Sequence, residues 1–581
     1  MAMAMAMAKK PAMIVVGGDA LALSAAHDIA LRQDHRIVVL WPGDAEFAAA
    51  VEASGALFVA ARPDGREGLR AAGVEDAVSI LALASDEQLN LQVALRARDA
   101  NPRIRIVLRQ FSRTLAAKIE QNLSNCSVLS LAWHSAATYA AAALDPSCFR
   151  GLQFPDRGGP LTGFAYRTAD RGNIAGQTVA EAERALGARI VAVDGATDIG
   201  PDDPIAATAH LIVYAAVDRL LASTPQRPRA DARPALADRL RNLRHRGQRR
   251  ARRADPYIKA FLVAGLALFA AGTWYFRAAF GSGWLIAAYF VLSTMTTTGY
   301  GDITPDRHNP LAIGAAMLLM LLGTAFTGIF IAFMASRLTR AQWVRMQGLR
   351  PIGRRGHIVV CGCGSIGTEV IDLLLPFGKP LVVVEQNPDA ALVERARDRD
   401  VELLTGDASR DDTLDLCNLE AAHSLVALTN VDTLNLEIAL GARARNPSMP
   451  IVLRIAGAEF GASIARHFQF ETTFSVAALA GPAFAGLAFL PGARGRIMFD
   501  GREFAIAEIV LEAPIVNDLS RFAIPLAAAA EGSEFALIRD FAGLLPGTRV
   551  VVLVPLAQFA DGQEGVAAIT QRLAGGLTTR R

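Results

Sequence analysis

Residues Thr297, Thr298, Gly299, Tyr300, Gly301 and Asp302 form a short run whose backbone has the makings of an ion-coordinating surface. Glycines on both sides of Tyr300 can take positive φ without a Cβ clash, so successive carbonyls can turn toward a common axis. Rings of such carbonyls, supplied by several copies of one loop, can replace the water around a dehydrated cation. On this reading the ion sits at Thr297, Thr298, Gly299 and Tyr300, the Thr297 hydroxyl adds an inner ligand and the Tyr300 ring wedges outward. A second constellation is Gly362-Cys363-Gly364-Ser365-Ile366-Gly367, which follows the apolar run from His357 to Cys361. Gly362 permits a tight turn, Gly364 lets a pyrophosphate approach the backbone and Gly367 allows close packing, while a helix beginning near Thr368 would turn its positive end to the phosphate. Glu385 ends the next apolar run, 18 residues past Gly367. A carboxylate there accepts hydrogen bonds from ribose hydroxyls and repels a 2′-phosphate, which disfavours NADP. Asp407 and Ala408, after a third apolar run, extend the adenosine side of the same pocket.

The elements around the first run are those of a membrane protein. Leu311–Ala335 is 25 residues without a charge, enough to span the hydrocarbon core as a helix. Upstream, Ala260–Phe276 is a 17-residue apolar stretch that reaches a full span with Tyr257 and Lys259 at one interface and Trp274 and Tyr275 at the other. Trp284–Leu292, nine residues, is too short to cross and fits a re-entrant half-helix ahead of the Thr-rich loop. Eleven arginines against two aspartates lie between Arg227 and Arg253, and Arg337, Arg340, Arg345 and Arg350 follow the second span. The positive-inside rule therefore puts both termini in the cytoplasm, with lipid contact available to the basic segment.

An internal repeat organises the rest. Ile14-Val15-Val16 superposes on Ile358-Val359-Val360, and Ile37-Val38-Val39-Leu40 on Leu381-Val382-Val383-Val384. After a one-residue slip, Ile106-Val107-Leu108-Arg109 superposes on Ile451-Val452-Leu453-Arg454. Short Val/Ile/Leu runs alternating with helix-period segments imply βαβ units and a parallel, doubly wound sheet in each copy. The first copy lacks the phosphate and ribose features. It has Gly18, Ala20 and Leu23 against Gly362, Gly364 and Gly367, Trp41 against Glu385, and Ala61-Arg62 against Gly406-Asp407. The expectation is a retained shell without the standard nucleotide site, with Asp19 further repelling phosphate.

Composition narrows the classes. The net charge of +3 over 581 residues does not suggest a nucleic-acid protein, and 52% hydrophobic with 20% charged residues is the balance of folded protein. Five cysteines show neither a CxxC pair nor a metal-ligand spacing. No catalytic His or Tyr-Lys constellation accompanies the glycine-rich loop, so an enzyme is not expected. Asp411, Asp412, Asp415 and Glu420 could offer oxygens to a divalent cation, without a dedicated loop pattern.

Together these motifs resemble a bacterial two-helix potassium channel with RCK domains, also called TrkA-N domains. The family usually has Val where this chain has Thr298. The resemblance implies a multidomain chain: an α-helical two-span K+ pore with a re-entrant pore helix, flanked by two α/β Rossmann-like RCK domains with small α+β C-terminal lobes. The corresponding divisions are a leader at 1–12, a Rossmann-like lobe at 13–150, its C-lobe at 151–224, a basic linker at 225–256, the pore at 257–340, a linker at 341–355, a second Rossmann lobe at 356–495 and its C-lobe at 496–581. It further implies a homotetramer in the bacterial inner membrane, lipid contact, and a cytoplasmic gating ring regulated by NAD(H) or ATP/ADP, with a divalent cation such as Ca2+ as the alternative ligand. Gly323 falls where relatives have a hinge glycine, and Gly328 is a second hinge position. A regulatory or membrane subunit of a K+ uptake system is the other reading.

Overall fold

The computed structural model describes residues 11–31, 35–110, 113–154, 160–170, 174–223, 256–346, 351–470, 472–489, 492–499, 501–511, 523–530, 533 and 535–555. The expectations for the leader up to residue 10, for the basic linker up to residue 255 and for Arg350 lie outside them, as do those for the side chains of Arg337, Arg340 and Arg345. The chain divides into two compact units, one holding residues 1–225 and 351–581, the other residues 226–350.

In the larger unit, strands β1 (Ala12–Val16), β2 (Arg36–Leu40), β3 (Leu57–Val59), β4 (Ala77–Ala82), β5 (Arg105–Arg109) and β6 (Cys126–Leu129) form one sheet, ordered β3-β2-β1-β4-β5-β6 and parallel throughout. The central strand β1 is buried on both faces, as a near-continuous apolar run requires. An antiparallel lobe follows, with β7 (Cys148–Leu152), β8 (Thr162–Thr168), β9 (Arg189–Val193) and β10 (His210–Ala216) in the order β7-β8-β10-β9. The second copy repeats the plan. Strands β11 (Ile358–Cys361), β12 (Leu381–Glu385), β13 (Glu402–Thr405), β14 (Ser424–Ala427), β15 (Ile451–Ile455) and β16 (Thr472–Ser475) form a parallel sheet ordered β13-β12-β11-β14-β15-β16. Its lobe is β17 (Ala493–Phe499), β18 (Arg502–Val510), β19 (Ile524–Ala529), β20 (Ala536–Leu537) and β21 (Arg549–Pro555), ordered β17-β18-β21-β19-β20.

The two copies exchange helices. Helix Leu131–Leu144 leaves the first sheet and lies on the second copy's helix Ser365–Leu374. Ser424 Oγ donates to the Ala143 carbonyl at 2.6 Å and Tyr139 Oη donates to the Phe474 carbonyl at 3.0 Å. Reciprocally, helix Val476–Phe489 lies on helix Ala20–Ala30 of the first copy, where a Cβ on Gly481 would stand 2.3 Å from Ser24 Oγ. Alanine and glycine at these crossings let the helices approach closely. The two lobes also share a core: Phe164, Ile212 and Tyr214 of one pack with Phe504, Ile506 and Leu553 of the other.

The smaller unit contains an outer helix (Pro256–Phe280), a short pore helix (Trp284–Met295) and an inner helix (Pro310–Met346). All three are longer than the apolar runs suggest, because a helix ends where its backbone hydrogen bonding stops and not where its apolar stretch does. Phe276, Ala287, Phe290, Val291, Met295, Ala316 and Leu319 form their common core.

Candidate functional site

The pore helix leads directly into the Thr297–Asp302 loop. Ser293 lies one turn after Tyr289, and its carbonyl accepts from Thr298 N at 2.9 Å and Gly299 N at 3.1 Å. Thr296 Oγ1 and Thr298 Oγ1 are 2.9 Å apart, so the residue that stands in the usual Val position ties its hydroxyl to the base of the loop. Thr297, Gly299 and Gly301 take positive φ of 59°, 48° and 74°. That conformation is easy for the two glycines and strained for a β-branched threonine. At the far end Tyr289 Oη donates to Asp302 Oδ2 at 2.9 Å, and the Tyr289 and Tyr300 rings lie parallel, 3° apart in plane with centroids 6.4 Å apart. Tyr289 and Ser293 were not singled out by sequence reasoning. Their signal is their spacing on one face of the half-helix that ends at the loop.

Gly323 is packed. A Cβ on it would lie 2.6 Å from Met295 Cα, and one turn further along the inner helix Thr327 Oγ1 donates to the Met295 carbonyl at 2.9 Å. Gly328, by contrast, faces open space. The spans Val263–Phe280 and Pro310–Ala335 are only 17% and 11% buried. Outside the shared core, most of their apolar surface is thus uncovered within this chain, and their length and composition are enough to cross a membrane.

In the second TrkA-type copy each glycine has its own reason. Gly362 takes φ of +89°, and a Cβ there would be 2.9 Å from Thr429 N. A Cβ on Gly367 would be 2.2 Å from the Gly362 carbonyl oxygen, whereas one on Gly364 would meet nothing within 4 Å. Helix Ser365–Leu374 begins three residues before the expected Thr368, with the loop's own Gly364 as its N-cap and no side-chain cap. No side chain caps its first amides, the arrangement in which a helix N-terminus can take an anion. Ser365 is exposed, but the Ile366 side chain is buried in the core, so only its backbone can face a ligand. Glu385 Oε2 accepts from Cys363 N at 2.7 Å and Oε1 from Asn387 N at 3.1 Å, which sets the carboxylate beside the loop. Asp407 Oδ1 accepts from Ser409 N and Oγ at 2.9 and 2.8 Å, closing a small turn, and Ala408 is buried. Burial pushes the Cys363 thiol up, keeping it protonated.

The first copy fills the equivalent space with itself. A Cβ on Gly18 would stand 2.0 Å from Trp41 Nε1, so the indole lies directly against the loop. Asp19 Oδ1 accepts from Leu21 N and Ala22 N, both at 3.1 Å, and its Oδ2 is 2.8 Å from Arg109 Nη1. A carboxylate of the chain already occupies the helix N-terminus.

Three of the four acidic residues weighed for a divalent cation, Asp411, Asp412 and Asp415, are engaged by arginines. Arg445 bonds Asp411 and Asp415, each at 2.8 Å, and Arg410 holds Asp412 through two nitrogens at 3.1 and 3.0 Å. Among the described residues no group of three or more His, Cys, Asp or Glu side chains is arranged to hold a metal ion.

An ion-channel family matches residues 262–340, and the TrkA-N domain family matches twice, over residues 13–127 and 358–475. Potassium channel protein 1 of Methanocaldococcus jannaschii is 28% identical over 181 residues, 30% of this chain and 53% of that protein. The voltage-gated potassium channel Kch of Escherichia coli is 23% identical over 179 residues, 30% of this chain and 42% of that protein. The chain spans 28% to 53% of the length of the first curated relatives it matches. A solved structure described as the GsuK channel bound to NAD is 14% identical with a TM-score of 0.46, covering 98% of this chain and 80% of that one. The fold and the matches define a membrane channel domain set between two TrkA-N domains. Over about 30% of its length the chain is similar to proteins described as potassium channels.

Proposed function

We propose that this chain is one quarter of a ligand-gated potassium channel, conducting K+ passively through a fourfold pore and regulated by an adenine nucleotide at the second RCK copy. The observation that carries the reading is the Thr297–Asp302 loop at the end of a half-helix between two largely uncovered apolar spans. One filter repeat per chain calls for four chains around one axis. Four subunits with two RCK copies each supply a ring of eight without a separate soluble protein. Both termini lie on the cytoplasmic side of a bacterial inner membrane, so the ring meets the cell's nucleotides. The protein is a channel, not an enzyme.

NAD(H) or ATP/ADP is the proposed ligand, because Gly362, Gly364 and Gly367 leave the helix amides uncapped and Glu385 stands beside them. The alternative of a divalent cation is less favoured by the arginines on Asp411, Asp412 and Asp415. A nucleotide that prefers one ring geometry biases the pore only by its differential affinity; a tenfold preference is worth about 1.4 kcal/mol. In this reading the connection from Arg337 to Arg355 carries that bias to the inner helix. Gly323 is the proposed hinge, and its packing on Met295 would make any bend there act on the filter's support.

The test is K+ flux into liposomes holding the purified protein, with and without NAD(H), ATP and ADP. K+ flux that exceeds Na+ flux and changes with one of these nucleotides is expected, and Glu385→Ala should abolish the change. Equal Na+ and K+ flux would reject the filter reading. A nucleotide-insensitive flux, unchanged by Glu385→Ala, would reject the gating reading.

A further inference from the structure

The two RCK copies are each other's comparison structure. Arg109 and Arg454 end the matched runs Ile106–Arg109 and Ile451–Arg454. Each guanidinium is anchored through Nη1 on the same carbonyl of its copy: Arg109 on Leu83 O at 3.0 Å, Arg454 on Leu428 O at 3.1 Å. In the first copy that nitrogen also reaches Asp19 Oδ2 at 2.8 Å, while Oδ1 of the same carboxylate takes two amides of the following helix. One anion is thus held between a helix N-terminus and an arginine. In the second copy the residue matched to Asp19 is Cys363, which brings no charge, and the helix has no side-chain cap. The arginine and the uncapped amides are retained, and the internal carboxylate is not. Asp432, whose charge acts on Arg454, accepts from Ala456 N through its two oxygens at 3.0 and 3.1 Å.

We propose that Arg454 binds a phosphate of the nucleotide at the second copy, in the place that the Asp19 carboxylate fills in the first. The inference rests on the nucleotide reading above and deepens it by assigning a side chain to the phosphate end of a site otherwise built from backbone amides. The first copy, by the same logic, is permanently self-liganded, and its Asp19–Arg109 pair keeps that module in one state while its partner titrates with ligand. Arg454 is a phosphate-selective contact. It therefore discriminates ADP from adenosine, which shares the ribose and base but carries no charge.

The experiment compares ADP and adenosine binding by calorimetry on the full-length protein in detergent, with thermal melts of each variant. Arg454→Met should weaken ADP about ten- to hundredfold, the range for a lost charge-assisted hydrogen bond. Adenosine should change by less than about threefold, and Arg454→Lys should recover part of the ADP affinity. Cys363→Asp should rebuild the first copy's ion pair, abolishing ADP binding without lowering the melting temperature. That variant decides the matter if Arg454→Met melts early. Equal weakening of ADP and adenosine by Arg454→Met, or full ADP affinity in Cys363→Asp, would overturn the assignment while leaving the nucleotide site in place. If the wild-type protein binds neither compound, the nucleotide reading fails and the role of Arg454 falls with it.

Discussion

The three glycines of the 362–367 loop separate a ligand site from a merely tight turn. Gly364→Ala is the informative perturbation. Its backbone sits at φ −69° and ψ −164°, which alanine adopts freely, and the added Cβ would meet no atom within 4 Å. The folded protein therefore loses nothing, and the restricted unfolded chain raises stability by about 0.4–1 kcal/mol. Gly367→Ala differs, because its Cβ would stand 2.2 Å from the Gly362 carbonyl oxygen. Backbone cannot yield cheaply there, so the helix-propensity gain of about 1 kcal/mol is outweighed by an overpacking cost of about 1–3 kcal/mol. Gly362→Ala combines positive φ with a 2.9 Å approach to Thr429 N and should destabilise by about 2 kcal/mol or more. A phosphate, however, must approach the backbone at Gly364, and a methyl group there holds it off. ADP or NAD affinity should fall at least about tenfold, or 1.4 kcal/mol, in a protein that melts no earlier than wild type. Calorimetric titration paired with ligand-free thermal melts reads both quantities. A Gly364→Ala protein that binds nucleotide with wild-type affinity would refute the reasoning, since the open space would then have no tenant. So would one that melts as early as Gly367→Ala.

Other outcomes follow from particular contacts. Tyr289→Phe removes the hydroxyl held by Asp302 while keeping the ring against Tyr300, so under the proposed channel function K+ flux should decline and K+ over Na+ preference should narrow; unaltered flux ratios would assign the bond no part in holding the Thr297–Asp302 loop. Gly323→Val would drive a branched side chain into Met295, and the expected result is an earlier thermal melt of the purified protein in detergent, with reduced flux. Burial raises the Asp145 carboxyl, but Arg167 at 2.7 Å and the bonds from Ser147 outweigh it and hold it below its ordinary value of 3.8. Because the folded pKa is depressed, this pair's stabilisation is complete above the ordinary value and fades as pH falls through the depressed one. Asp145→Asn should therefore cost about 3 kcal/mol near neutral pH, with the gap to wild type closing only in strong acid. Denaturant melts at both pH extremes check it, and a gap that widens in acid would contradict the sign.

Much of the fold was legible because its signals are local. Apolar runs of strand length, repeated in register, identified two copies of one sheet, and strand order β3-β2-β1-β4-β5-β6 recurs as β13-β12-β11-β14-β15-β16. Uncharged length marked the spans. The loss of the first copy's glycines and carboxylate was visible residue by residue, but what replaced the ligand was not. Asp19 reads as a phosphate-repelling charge in sequence, and in the fold it is the anion itself, held by an arginine 90 positions away. The helix exchange was equally hidden. Nothing local in Leu131–Leu144 says that its alanines lie on the other copy's helix, since a small-residue face fits any close neighbour.

Sequence alone determined which atoms are available: a carbonyl-lined loop between two apolar spans, and a glycine-rich turn followed by a carboxylate. Those follow from backbone freedom, uncharged length and strand periodicity, each a property of adjacent residues. Only the tertiary structure decided which of these atoms meet. It set Tyr289 on Asp302, packed Gly323 on Met295, filled one cleft with Trp41 and Asp19, left space open at Gly364 and set Arg454 on the Leu428 carbonyl. Such pairings depend on distances between segments far apart in the chain, and a distance of that kind is fixed by packing.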